Sequence, residues 1–382
     1  DRPMTQPTSR LQVLRRGVTQ RTLRLLFRPA APAAPADKLP RAGIHRILIC
    51  RSVRTLGNSL LLTPLLHELA ETWPGAEVDV VSRSPVAAQI YGSHFDVGHV
   101  IQLPRKPAAH PLATLRALRQ LRRTQYDLVI DPELQSQSGR LLAKLAHARY
   151  SLGFGDPRKS GTLSHSVDPA AAPRHQALQP VFLLRSVLGE RPSARPYPQL
   201  ELALPASARQ SGEEALARIL ADQPPVVRGC IGIFTDATGD KRFDAAWWHR
   251  FIAAFTPGIG DYAVVEILSA ASVRSQLAPR YPSFYSSDVR KLASVLANLA
   301  FFVSADCGVM HLGTAVGVPT VGLFKGTDTQ EWGPYGDSNG AIDTRDLTAE
   351  DAAERTLAAL RAAATVHAGS ARIFHQTAGA QH

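Results

Sequence analysis

FFVSADCGVMHLGTAVGVPTVGLF, residues 301–324, holds two short apolar runs joined by a glycine-containing turn and a brief helical stretch. The run 301–305 is apolar on consecutive positions rather than alternate ones, which suits a strand buried on both faces. A short helix follows at 310–316 and a second strand at 319–324. Parallel neighbours need a crossover between them, so strand, helix and strand in this order imply a parallel sheet flanked by helices.

The same alternation extends in both directions. Downstream of residue 205, strands are expected at 229–234 and 262–268, and helices at 244–255, with Trp247 and Trp248, at 289–299 and at 349–364. Residues 366–382 read as a frayed tail. Upstream, RILICR at 46–51, AEVDVVS at 76–82 and YDLVID at 126–131 read as strands. Helical spacing appears at 59–70, 111–123 and 139–148. A Pro-rich stretch at 191–205 breaks the pattern and marks a domain junction. The fold class that follows is α/β. It consists of two doubly wound domains, at 42–205 and 206–365, whose strands' carboxyl ends face a shared cleft.

With 382 residues and 45% hydrophobic content, the chain has material for two cores. No apolar run approaches the roughly 18–20 residues that span a bilayer. The start of the chain lacks the basic, apolar and small-residue pattern of a secretory signal, so none is expected. Cys50, Cys230 and Cys307 are far apart and odd in number. That argues for reduced thiols, a cytoplasmic location and no structural zinc site.

The net charge of +11 is unevenly spread: residues 1–41 carry eight Arg and one Lys against Asp1 and Asp37. Leu11, Leu14, Val18, Leu25 and Leu26 would share one side of a helix over 11–28, beside a strip of Arg10, Arg21, Arg24 and Arg28. Such a pattern suits an anionic membrane surface. It also suits a helix docked on the body or a solvated extension. The Ala/Pro run at 28–35 then separates this arm from the body.

Four loops at strand ends carry candidate chemistry. In the first, Arg51 to Ser59, a turn with Gly57 opens a helix and offers backbone N–H groups and Arg51 to an anion. Neither a P-loop nor a dinucleotide fingerprint fits it, and Asn58 reads equally as a helix cap or a functional group. The second, Thr235 to Arg242, supplies Thr235, Thr238 and two adjacent cations, of which Lys241 suits a diphosphate. Read alone, it is also compatible with a solvated basic loop. In the third, Asp306, Cys307 and Gly308 open a helix that carries His311 one turn in. N–H groups at 307–309 and His311 can meet one anion, with Asp306 capping the helix. The fourth holds Thr327 and Asp328 ahead of a Gly/Pro-shaped turn at 332–336.

Taken together, LICRS…LGNSLLLTPLL (48–66), KRF (241–243), SADCGVMHLGTAVGVPTVGLFKGTD (304–328) and WGPYG (332–336) resemble the heptosyltransferase family, glycosyltransferase family 9. The resemblance runs from about 46 to 360. It implies a GT-B fold with two facing Rossmann-like domains, in which the N-terminal domain binds the acceptor and the C-terminal domain the sugar nucleotide. The family's members add ADP-heptose to lipopolysaccharide core in an inverting, metal-independent reaction. Here, Asp306, Gly308 and His311 would cradle the diphosphate and Lys241 would neutralise the leaving nucleotide. No Asp-x-Asp metal motif is present, and no cofactor is implied beyond the ADP-linked sugar as substrate. The implied partners are a nucleotide sugar, a glycan or glycolipid acceptor and, through the arm, the inner face of the bacterial inner membrane. Nucleic acid is not among them.

One position departs from the family. Where it carries an Asp as base in the Leu-Gly-Asp turn, this chain has Asn58, and an amide cannot accept a proton from a hydroxyl. Another carboxylate would then serve, from Asp131 or Glu133 after the third strand. Glu133 is preferred for its reach, with Asp131 capping the sheet edge. Alternatively, Asn58 only orients the acceptor, or the protein binds sugar nucleotide or glycan without transfer. Cys307 replaces a more usual Ser or Thr where backbone N–H groups do most of the binding. A GT-B enzyme of another reaction, such as a nucleotide-sugar epimerase, is the remaining alternative.

Overall fold

The computed structural model describes residues 38–134, 137–146, 148–155, 163–223, 228–270 and 274–378. The expected amphipathic helix at 11–28 and the tail residues 379–382 lie outside them. The first half runs β1 (Arg46–Arg51), α1 (Leu56–Leu60), α2 (Thr63–Thr72), β2 (Glu77–Ser82), α3 (Ala87–Tyr91), β3 (Val97–Gln102), α4 (Pro111–Arg123), β4 (Leu128–Asp131), α5 (Gln137–Leu145), β5 (Tyr150–Phe154), β6 (His165–Val167) and α6 (Gln179–Val187). The second half runs α7 (Ala206–Ile219), β7 (Cys230–Phe234), α8 (Ala245–Phe255), β8 (Ala263–Leu268), β9 (Ser283–Tyr285), α9 (Val289–Leu296), β10 (Phe301–Ala305), α10 (Gly308–Ala315), β11 (Thr320–Phe324), α11 (Thr329–Trp332), β12 (Gly340–Asp343) and α12 (Ala349–Ala378).

Each half forms a six-stranded sheet, ordered β3-β2-β1-β4-β5-β6 and β12-β11-β10-β7-β8-β9. Every pairing is parallel. Counted from its own first strand, the second sheet repeats the order of the first, which is the Rossmann arrangement. The expected doubly wound α/β fold is therefore present twice. In each sheet the direction of winding reverses between the first and fourth strands, β1 and β4 or β7 and β10. Loops leaving those strands splay apart and open a crevice at their carboxyl ends.

Strands β7, β10 and β11 are buried at every position, which is why they read as continuous apolar runs. Edge strands β3 and β9 are half exposed and carry a weaker pattern, so neither was anticipated. The single helix expected at 59–70 is two, α1 and α2, broken at Leu61–Leu62. Pro64 stands at the start of α2, where a missing N–H costs nothing. The closing helix continues to Ala378 rather than ending at 364.

The halves are packed together. One apolar core includes Leu60, Leu65 and Leu69 from the first half and Leu216, Leu296 and Leu312 from the second. The segment between α6 and α7 is anchored from beneath by a buried ion pair. Arg185 gives Nε and Nη2 to the two oxygens of Glu68, each at 2.9 Å, and donates to the carbonyls of Pro192, Arg195 and Pro196. Both side chains are fully buried, and breaking such a pair by removing one partner costs about 3–5 kcal/mol.

Candidate active site at the two switch points

In the second half, the loop after β7 and the loop after β10 meet. The backbone N–H of Asp306 donates to the Leu323 carbonyl at 3.1 Å, which seats the turn on β11. The Asp306 carboxylate does not cap α10 as the sequence suggested. It pairs with Lys241, whose Nζ lies 2.9 Å from Oδ2. Cys307 is the N-cap residue and makes no side-chain cap bond. Burial pushes its thiol up to about 11, opposed by the Ser304 hydroxyl 3.6 Å from Sγ.

Lys241 is thus not a free loop cation: its side chain is 38% exposed, but a nearly buried carboxylate in the adjacent switch-point loop pairs with it. Its neighbour Arg242 turns back onto Asp236, at 3.0 Å from Nε and 2.9 Å from Nη2. His311 is buried, and its Nδ1 has no hydrogen-bond partner among the described residues. Burial holds its imidazole down at about 3, with nearby His175 and Lys241 acting in the same direction. It is therefore neutral near pH 7, with one N–H to donate and one nitrogen to accept.

The two threonines expected in this loop are placed differently. Thr235 is buried, and its hydroxyl donates to Glu266 Oε1 at 3.2 Å, so it faces the body rather than the cleft. Thr238 is exposed beside the 3₁₀ turn Gly239–Lys241. Glu266, a carboxylate within the apolar strand β8, was not anticipated. It accepts from Thr235 and from the backbone N–H groups of Gln276 and Leu277, fixing the loop beside it. The signal was present as a lone Glu in the run AVVEIL, where a buried charge needs partners.

In the first half, the turn after β1 is closed by Arg51, which donates Nε and Nη2 to the Asn58 carbonyl at 3.2 and 2.8 Å. Asn58 is not the helix cap, because Thr55 holds that position and Asn58 lies inside α1. Ser59 is fully buried, and its hydroxyl donates to the Thr55 carbonyl at 2.9 Å. It points away from the cleft, because a serine this early in a helix has a carbonyl four residues back within reach.

The two carboxylates after β4 separate cleanly. Asp131 is fully buried, with Arg140 Nε at 3.3 Å from Oδ2. It is pressed against α5 so closely that a Cβ on Gly139 would stand 2.2 Å from its Oδ1. Its carboxylate is thus enclosed against α5. Glu133 accepts from the Ser52 N–H at 2.7 Å and the Ser52 hydroxyl at 2.9 Å. It lines a cavity of about 370 Å³ together with Arg51, Asn58, Gln179, Glu331 and Trp332. The cavity draws on both halves, and Asn58 shares it with two carboxylates, Glu133 from the first half and Glu331 from the second.

The halves touch at two glycines. A Cβ on Gly57 would stand 2.8 Å from His311 Cδ2 and 3.1 Å from Gly308 Cα. A Cβ on Gly308 would stand 2.7 Å from the Gly57 nitrogen. Only glycine allows the starts of α1 and α10 to approach this closely. A second contact joins residues 174–176 to α11. Arg174 pairs with Asp328 and donates to Gln330, and Gln176 Nε2 donates to Glu331 at 2.8 Å. Asp328 also caps α11 through the Gln330 N–H, and these partners hold its carboxyl below the usual range. Asp328 therefore serves the joint between the halves, and Thr327 sits half-buried beside it. Arg140, Arg174 and Gln176 carried no sequence signal, because their roles arise only when distant segments meet.

A family model described as glycosyltransferase family 9 (heptosyltransferase) matches residues 114–359. The chain belongs to glycosyltransferase family 9. It is an enzyme that transfers a sugar. The family 9 chain is 25% identical over 311 residues to lipopolysaccharide heptosyltransferase 1 of Escherichia coli strain K12, covering 76% of this chain and 91% of that one. Its fold is that of a solved glycosyltransferase of the family from Veillonella parvula. That match has a TM-score of 0.65 and 18% identity, over 81% of this chain and 89% of that one. A structure of E. coli heptosyltransferase WaaC with ADP matches with a TM-score of 0.64 and 22% identity, over 82% of this chain and 99% of that one. These likenesses establish two facing Rossmann-like domains of the GT-B kind. No helix of the described residues in this glycosyltransferase is long and apolar enough to cross a membrane.

Proposed function

We propose that the chain moves heptose or a related sugar from an ADP-linked donor to a lipopolysaccharide-core acceptor. The curated relative acts, by its name, on lipopolysaccharide, and the WaaC structure holds ADP; both support this donor and acceptor. The observation that carries the reading is the cavity shared by Arg51, Asn58, Glu133 and Trp332, with Asn58 next in sequence to the Gly57 that meets Gly308. It brings a carboxylate within the same chamber as the acceptor-side turn, while Lys241 and His311 stand across the glycine contact.

In this reading the acceptor hydroxyl gives its proton to Glu133 and attacks the anomeric carbon in line, inverting it. The C–O bond to the diphosphate breaks on the opposite side. Lys241, His311 and the N–H groups at 307–309 stabilise the charge that develops on the departing diphosphate. Neutral His311 donates without adding charge, and Lys241 exchanges Asp306 for the phosphate. These groups suffice without a metal ion, so turnover should survive a chelator. The arm at 1–41 lies on the anionic inner face of the inner membrane, with the first half, 42–205, serving the acceptor and 206–365 the donor.

Family membership favours transfer over epimerisation. Asn58 specifically favours one other reading, a member that binds the sugar nucleotide without transferring it. Release of ADP from ADP-heptose, measured with and without core acceptor, separates the two. The transferase reading expects acceptor-dependent release with inverted product configuration. Binding without release under either condition would favour the second.

A further inference from the structure

We propose that α4 and the groove beside it form a second lipid-docking surface, separate from the N-terminal arm, that seats the first half on an anionic bilayer. Helix α4, PLATLRALRQLRR, buries only Ala117 and Leu121. Leu112 is 72% exposed and Leu115 44%, two of the four large apolar side chains left open among the described residues. Arg116, Arg119, Arg122 and Arg123 occupy the same outer face. None of these four makes an ion pair or side-chain hydrogen bond among the described residues. The sequence holds no Asp or Glu between Asp96 and Asp127, while Arg105 and Lys106 add to the charge.

Beside the helix lies a groove of about 440 Å³, floored by Leu115, Leu118 and Leu145 and rimmed by Arg119, Arg122 and Arg123. An apolar floor inside a cationic rim is complementary to an anionic lipid, with phosphates on the guanidinium groups and leucines in the acyl boundary. A nucleic-acid backbone would use the arginines but leave the leucines in water. A second copy would set four like charges against four across a two-fold axis. Strand β3 ends at the same sheet edge as β1 and β4, so α4 starts at the edge that carries the cleft. The helix then runs back toward the start of β4, so Leu112 and Leu115 lie nearer the cleft edge and Arg122 and Arg123 toward the opposite one. The surface stands on its own residues, whatever sugar the enzyme transfers.

The test is co-sedimentation of the full-length chain with vesicles of phosphatidylcholine, alone and mixed with phosphatidylglycerol, at low salt. Wild type should partition onto the mixed vesicles. Reversal of three charges, Arg119→Glu with Arg122→Glu and Arg123→Glu, should weaken partitioning by at least about a hundredfold, since the loss of each arginine alone is worth near fivefold. Leu112→Ser with Leu115→Ser should weaken it about tenfold. Unchanged melting temperatures would establish that these surface variants fold. Equal partitioning of wild type and the charge-reversed variant would overturn the proposal, since the arm alone would then carry binding. Absence of vesicle binding by wild type, with α4-dependent binding to a duplex oligonucleotide instead, would overturn it equally.

Discussion

The two switch points have the same topology and opposite chemistry. After β7 and β10 the crevice holds a cation, Lys241, paired with Asp306, and a buried neutral imidazole on a helix start. After β1 and β4 it holds carboxylates: Asp131, enclosed by Arg140, and Glu133, held by Ser52 at the cavity wall. In the proposed reading, one side of this repeated fold receives the negative charge of the departing diphosphate and the other receives a proton. Function in such a pair is set by the loops that leave the reversal strands and by which of their side chains the packing leaves turned toward the gap.

Breaking the proton-receiving side should have the largest effect. Glu133→Gln should lower turnover by about 10²–10⁴-fold with ADP affinity nearly unchanged. Steady-state kinetics beside calorimetric ADP titration would check it, and a drop in affinity with intact turnover would reverse the assignment of sides. Next is the contact between the sides. Gly308→Ala puts a Cβ 2.7 Å from the Gly57 nitrogen, so the halves must shift apart. Displacement of about 1 Å between reacting groups can cost about 10²-fold in rate. Single-turnover rates should show that loss, and an unchanged rate would mean that this closed contact plays no part in the reaction.

On the charge-receiving side, Lys241→Ala should weaken ADP by about 1.5–3 kcal/mol, the scale of a charge-assisted hydrogen bond. Equal ADP affinities in variant and wild type would remove Lys241 from the site. The smallest effect concerns His311, whose folded value near 3 lies below the ordinary 6.5. Between those values the unfolded chain binds the extra proton, so stability is fully present above about pH 6.5 and falls as pH drops toward 3. Relative to His311→Gln, wild type should lose about 2 kcal/mol of unfolding free energy between pH 7 and 5. Parallel curves for the two proteins would show that the imidazole titrates normally.

The difference between the sides also governed what the sequence could disclose. Lys241, Asp306 and His311 sit within or just after runs that are strongly apolar, so strand, loop and helix were all legible at 229–242 and 301–316. Even there the partner of Asp306 was misread, because a cap is a local expectation and an ion pair across two loops is not. On the first side, the sequence marked the absence of an Asp at 58. Telling Asp131 from Glu133 required knowing that Arg140 and Gly139 close over one of them. Ser59, Thr235 and Asp328 were polar residues at sheet edges that turned inward or across the joint, and residue type alone does not give direction.

The central claim is that transfer proceeds with an amide at position 58 because Glu133 supplies the base. ADP release from ADP-heptose in the presence of core acceptor, for wild type and Asn58→Asp side by side, tests it most directly. The account predicts acceptor-dependent release by wild type and little change in Asn58→Asp. An inactive wild type switched on by Asn58→Asp would contradict it and leave the native chain a binder.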